Sequence, residues 1–386
     1  MNQTTNDASK WNAFLSRFSR VTSSGSYLPE IDGLRFIAIM AVVLYHAHLF
    51  FFANPIPNWP HFPVSWDWLN FAIGQGWFGV QVFFVISGFV LALPFAGHFL
   101  EGKKPVDLKT YYSRRVVRIG LPYCIALTLG LLFALGGDLS LTDAFQRYAA
   151  GLLYSHGIFY DGALNPILFV SWTLEIEIQF YLLAPLLCTV FKVKNLAART
   201  AILTAGIFLV QRISGELNHH HSSPLWSHSI IGQLQFFLAG LMLGDFYISL
   251  WKDKTRKLTW LWDSIGALSW LAIPLALKLP TLQSWLALLL LLAFTCVLRG
   301  NLLRKLLSLS LVSTIGGMCY SIYLFHGAIL YSLFYHLITP IFGNSKGSWP
   351  YNLLPLAVLT ALTIIGCLLP YYFIERPTML WRGKKK

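Results

Sequence analysis

The sequence predicts an all-α, polytopic transmembrane helix bundle of about ten spans, with both termini in the cytoplasm. Three observations predict it. Hydrophobic residues make up 56% of the 386 and charged residues only 12%, with a mean hydropathy of +0.59, whereas soluble domains carry about 25% charged residues. Apolar runs near the length needed to cross a bilayer, about 20 residues, recur at 31–52, 77–97, 116–136, 166–191, 200–213, 230–250, 259–277, 281–298, 312–338 and 351–374. Finally, 24 of the 29 Lys and Arg fall in segments that this alternation places inside, four (Arg147, Arg212, Lys278, Lys346) fall outside, and Arg35 lies within the first span. Such asymmetry orients membrane proteins, and removing any one span would scramble it.

In chain order, residues 1–30 form a polar leader without a signal-peptide core and cleavage site, so the first apolar run is retained as a helix. Trp11, Phe14, Leu15 and Phe18 share one helical face of this leader, flanked by Arg17 and Arg20. Two readings stand for it, a short interfacial helix or a disordered tail. The second span opens at GQGWFG, residues 74–79, which matches GxGxxG but follows no strand, so a dinucleotide site is excluded. The third is interrupted early by Pro122 and the fifth is short. Outer loops at 53–76 and 137–165 are the longest, and a third at 214–229 holds His219, His220 and His221. Consecutive His residues splay apart and no carboxylate pattern accompanies them, so no metal is expected. All five Cys lie inside apolar runs without a CxxC, as small buried hydrophobes do. The net charge of +13 is distributed between apolar runs rather than gathered in a basic soluble domain, so nucleic acid is not an expected partner. The transmembrane domain covers 31–376, and a basic tail follows at 377–386.

Ionisable groups inside spans are costly and mark function. Arg35 and His46 are eleven residues apart on the first span. Eleven helical steps turn about 1100°, nearly three full turns, and rise roughly 16 Å. The two side chains therefore share a stripe, Arg35 near the cytoplasmic entrance and His46 deep. The fourth span brings Glu175 and Glu177 to a similar depth, the ninth His326 with Ser321 and Tyr323, and the second Gln81 and Ser87 before Gly88. Glu175 and Glu177 lie about 200° apart around the helix and cannot face one pocket together. At the mouth of the third span, Arg114, Arg115 and Arg118 offer guanidinium forks suited to phosphate. Interhelical hydrogen bonds that hold the bundle and basic anchoring at the inner face are the alternatives to a site.

Several of these residues lie in longer strings. IDGLRFIAIMAVVLYH contains Arg35 and His46 in an Arg-x10-His spacing; GVQVFFVISGF, YYSRRVVRIGLP, SWTLEIEIQFYLLAPL, YSIYLFH and FIERP follow in order. Over essentially its whole length the chain resembles the membrane acyltransferase 3 family, whose usual carboxylate corresponds to Glu177. The resemblance implies transfer of an acyl group, most often acetyl, from cytoplasmic acyl-CoA to a hydroxyl of an extracytoplasmic or membrane-associated carbohydrate. The bacterial inner membrane is the implied location. Some members carry a fused SGNH hydrolase-like domain; none follows within the 386 residues, which implies a separate extracytoplasmic partner wherever a second step is needed.

On this reading His46 is the expected base, since imidazole titrates near neutral pH, with a transient acyl carrier as the alternative role. A nearby Glu, Glu177, is expected to orient its ring. His326 is either a second proton carrier or an acceptor-binding group. Arg35 and Arg118 are expected to hold the phosphates of acyl-CoA, with Arg115 and Ser87 on the same donor side. A proton-coupled transporter or flippase is the competing class, because matched mid-membrane charges also describe proton relays. The sequence shows neither an inverted repeat nor paired broken half-helices.

Overall fold

The computed structural model describes residues 18, 27–53, 67–137, 139–220, 223–252, 254–342 and 353–380. Among them every regular element is helical. In chain order the main helices are α1 (Pro29–Ala53), α2 (Gly79–Glu101), α3 (Leu108–Arg115), α4 (Leu121–Ala134), α5 (Leu141–Leu152), α6 (His156–Phe159), α7 (Ser171–Leu187), α8 (Leu196–His220), α9 (Ile230–Phe246), α10 (Thr259–Lys278), α11 (Leu286–Arg299), α12 (Ser310–Gly317), α13 (Cys319–Leu333) and α14 (Leu353–Gly366). The leader around Trp11 and the tail from 381 lie outside the described residues, as does His221.

Among the described residues nine helical stretches are long and apolar enough to cross a membrane. They match nine of the ten expected spans. The exception is the eighth, expected at 281–298, where α11 has only 14 residues, a rise of about 21 Å against a hydrocarbon core of about 30 Å. Pro280 opens a separate short turn, Pro280–Gln283, so one helix does not run through the apolar stretch. The fifth span is not short: α8 has 25 residues. Its charged residues are paired. Arg199 makes a two-pronged ion pair with Asp245 at 2.7 and 2.8 Å, and Arg212 meets Glu216 at 2.7 Å. In the third span Pro122 does not end the helix: it follows directly on a π-helical turn, within a helical run that continues from Leu108 to Ala134. A π-helical turn, Val116–Gly120, joins α3 to α4.

The chain divides into two compact units: a terminal unit of residues 1–80 with 306–386, and a central unit of 81–305. In the terminal unit α1 is pressed backbone to backbone against α12. A Cβ on Gly316 would lie 1.7 Å from the Asp32 carbonyl oxygen, and one on Gly33 would lie 2.2 Å from that of Leu307. Further along α1, a Cβ on Gly76 would lie 2.3 Å from the Ala41 carbonyl oxygen and one on Gly79 2.3 Å from that of Ala38. Two of the three glycines of GQGWFG, Gly76 and Gly79, are thus helix-packing residues. Toward its end α1 buries Ala47 with Leu330, Phe334, Ile338, Leu356 and Leu359.

In the central unit α2 crosses α9 at a similar distance, since a Cβ on Gly88 would lie 2.2 Å from the Phe237 carbonyl and one on Gly240 2.2 Å from that of Val85. Rings of Phe84, Phe237 and Phe180 stack beside the crossing. The segment 137–165, expected as an outer loop, folds down along α4 instead. Tyr148 and Thr128 hydroxyls meet at 2.9 Å, the Tyr123 hydroxyl donates to the Gly151 carbonyl at 2.9 Å, and the Tyr154 ring stacks on Tyr123 at 4.6 Å. Its polar groups find partners there: Arg147 bonds Asp143, and Asn165 bonds the Arg147 carbonyl and accepts from the Ile167 N–H. A descending segment of this kind is viable in lipid only when its backbone is satisfied by protein.

Candidate functional site

The terminal unit brings His46 and His326 together. His46 Nδ1 lies 3.1 Å from His326 Nε2, and the ring centroids are 5.0 Å apart. For neutral rings, the contacts of the two side chains assign the protons. His326 Nδ1 lies 3.0 and 2.9 Å from the carbonyl oxygens of Ile322 and Tyr323, which only accept, so it donates. In the neutral ring His326 Nε2 then holds a lone pair, and His46 Nδ1 must donate to it. His46 Nδ1 also lies 2.9 Å from the Val42 carbonyl, consistent with an N–H there. The basic nitrogen of His46 is therefore Nε2. His326 is fully buried and His46 half-buried, so the dyad presents His46 outward.

The helix that carries His326 is anchored near its start. Glu375, from the FIERP string, accepts from the Ser321 N–H at 2.8 Å and the Ser321 hydroxyl at 2.6 Å, in the first turn of α13. A carboxylate there complements the positive end of the helix that carries His326. On α1, Arg35 forms a buried ion pair with Asp32, one turn earlier. Arg35 thus lies on the stripe of His46 but with its charge already matched. Neither Asp32 nor Glu375 was singled out from sequence. The i,i+3 spacing of Asp32 and Arg35 is the signal that could have found the first.

In the central unit Ser87 and Glu177 meet. Oε1 of Glu177 accepts from the Ser87 hydroxyl at 2.9 Å and from the Tyr181 hydroxyl one turn later. Glu175 faces elsewhere, as its angular offset requires, and accepts from the Gly157 N–H at 2.9 Å at the start of α6. Arg115 stacks over the Tyr111 ring at 3.9 Å, with the Tyr181 ring at 5.3 Å, and donates to the Tyr111 carbonyl at 3.1 Å. Asp107 caps α3, and its carboxyl is held below the usual range by hydrogen bonds from the Thr110 hydroxyl and N–H. Arg118 projects from the π-helical turn and is half-buried, whereas Arg114 is exposed. Arg35 and Arg118, paired in the sequence reading, belong to different units. The partner on the Nδ1 side of His46, expected to be a carboxylate, is His326.

The described residues hold no cluster of three or more His, Cys, Asp or Glu placed to bind a metal. What they do hold is a histidine with an oriented lone pair, a carboxylate with one oxygen fixed by two hydroxyl donors, and basic residues at one end of the α3–α4 span.

Comparison with known proteins agrees with the string-by-string resemblance. The chain is 29% identical over 391 residues to the O-acetyltransferase OatA of Staphylococcus aureus strains NCTC 8325 / PS 47 and COL, covering 92% of this chain and 57% of the relative. It is 24% identical over 383 residues to the putative O-acetyltransferase SACOL0978 of S. aureus strain COL, covering 91% and 57%. It therefore spans a little over half the length of these relatives. No solved structure matches it. A family model described as an acyltransferase domain matches residues 28–374, nearly the whole chain, including His46, His326, Ser87 and Glu177, and the protein belongs to that acyltransferase family.

Proposed function

We propose that the protein is a membrane O-acetyltransferase of the inner membrane. It moves an acetyl group from cytoplasmic acetyl-CoA to a hydroxyl of a carbohydrate acceptor, presented directly or through a separate extracytoplasmic partner. The observation that carries this reading is the proton arrangement of the His46–His326 dyad, which leaves His46 Nε2 as an oriented base within a chain of this family. His46 Nε2 takes the proton of the acceptor hydroxyl as its oxygen attacks the thioester carbonyl. The C–S bond breaks, and the CoA thiolate recovers the proton from His46. His326 supports the imidazolium by accepting from its Nδ1–H, the part an acidic residue plays in other His-based sites.

In the central unit Glu177 is assigned to the same reaction as a carboxylate that holds a substrate hydroxyl, and Arg118 to the donor phosphates. Arg35 retains N–H groups beyond those engaged by Asp32 and is assigned to the donor as well, with a weaker net charge. The ten-span arrangement with both termini inside is retained, α11 crossing together with the turn before it. Purified protein in lipid nanodiscs, given acetyl-CoA labelled in the acetyl group and an envelope glycan fraction, is expected to release CoA and label the glycan. Labelled glycan without CoA release, or no transfer with any glycan, would overturn this function.

A further inference from the structure

Arg115 belongs to a basic string at the end of the α3–α4 span, where a role in donor binding is the obvious assignment. Its surroundings point elsewhere. The planar guanidinium lies over Tyr111 at 3.9 Å and near the Tyr181 ring at 5.3 Å, and Nη1 is used on the Tyr111 carbonyl. Tyr111 is itself buried, edge-on to Phe95 at 5.7 Å.

Pro185 explains why Tyr111 is there. In α7 the carbonyl of Tyr181 would ordinarily accept from the N–H four residues later, but that residue is Pro185, which has none. The Tyr111 hydroxyl supplies the missing donor at 3.2 Å, and the Tyr112 hydroxyl reaches the next carbonyl, Leu182, at 3.5 Å. The YYSRR string is thus keyed into the gap that proline opens in the helix bearing Glu177. Tyr181, fixed through both ring and carbonyl, donates its hydroxyl to Glu177 Oε1 beside that of Ser87.

We propose that Arg115 is a positioning residue for Glu177, acting through Tyr181, and is not a ligand of the donor phosphates. This rests on the assignment of Glu177 to the transfer reaction. Two donors on one oxygen hold the carboxylate against rotation about its last side-chain bond, a torsion that is otherwise broad. Losing the guanidinium frees the Tyr111–Tyr181 pair, and with it one of those donors. Lysine is no substitute, because an ammonium neither stacks as a plane nor forks.

The test uses the full chain in nanodiscs. Arg115→Ala, Arg115→Lys and Tyr181→Phe are each expected to lower kcat about tenfold or more with acetyl-CoA affinity unchanged. The double variant Arg115→Ala with Tyr181→Phe should be no worse than the poorer single, as for residues acting in one chain of contacts. Tyr111→Phe should also lower kcat, and Pro185→Ala should restore it by giving the Tyr181 carbonyl a backbone donor. Arg118→Ala is expected to do the opposite of Arg115→Ala, weakening acetyl-CoA binding. An activity-independent readout accompanies these. The infrared carboxylate band of Glu177, identified by difference against Glu177→Gln, should shift or broaden in Arg115→Ala and in Tyr181→Phe. An unchanged band in Arg115→Ala, or a loss confined to acetyl-CoA affinity, overturns the proposal. Band shifts in the variants, with no acetyl transfer by the wild-type protein, overturn the function and leave the positioning chain standing.

Discussion

At the scale of single residues, the direction of one lone pair matters most. His326 spends its Nδ1–H on two backbone carbonyls, which fixes its other nitrogen as an acceptor and so fixes the tautomer of His46. Removing the base should cost what general-base catalysis supplies, about 10²–10⁴-fold. His46→Ala is therefore expected to lose at least about 10²-fold in acetyl turnover while retaining acetyl-CoA binding. His48, two residues on, points about 200° around the helix, and His48→Ala should stay within a few-fold of wild type. Equal losses in the two variants, measured as labelled acetyl transferred per minute, would show that His46 acts through helix packing.

At the scale of elements, close helix contacts made by glycine position both clusters. On α12 a Cβ at Gly316 would lie 1.7 Å from the Asp32 carbonyl oxygen, and backbone cannot move aside as a side-chain tip can. Gly316→Ala should destabilise the solubilised protein by at least about 1–3 kcal/mol, the usual cost of overpacking. Gly215, on α8 with nothing within 4 Å of its Cβ position, is the control. There alanine should be neutral or stabilising by up to about 1 kcal/mol. Thermal unfolding in detergent checks both, and equal melting temperatures would refute the packing role. Nine helices were legible as apolar runs because bilayer length is a strong constraint. The depth of His46 and His326 was legible because helical rise is regular. What sequence could not give was lateral contact. Tyr181 carries no sequence signal of its own: its hydroxyl on Glu177 and its carbonyl, left by Pro185 to the Tyr111 hydroxyl, are contacts that no spacing encodes. The descent of 137–165 was hidden for a related reason. Asp143, Arg147, His156 and Asn165 give it the polarity of a loop, yet those groups are satisfied by one another and by backbone.

At the scale of the whole molecule, the 14-residue α11 decides topology. If it crosses with its preceding turn, reporters fused after residues 255, 305 and 386 all lie inside, and one after 280 lies outside. If it does not, the last two inside sites invert together, and the ten-span arrangement fails. The order in which the terminal unit is made has a further consequence. His46 and His326 are 280 residues apart in the chain. At a synthesis rate of about 5–20 residues per second, α1 leaves the ribosome on the order of 15–60 s before the helix that completes its dyad. During that wait it must rest in the bilayer carrying an arginine, with neither α12 nor α13 to shelter it. Asp32, only one turn away, travels with Arg35 and matches its charge from the moment the first helix forms. The pair lets the earliest segment partition into lipid as a near-neutral helix, so it serves biogenesis as well as the finished protein.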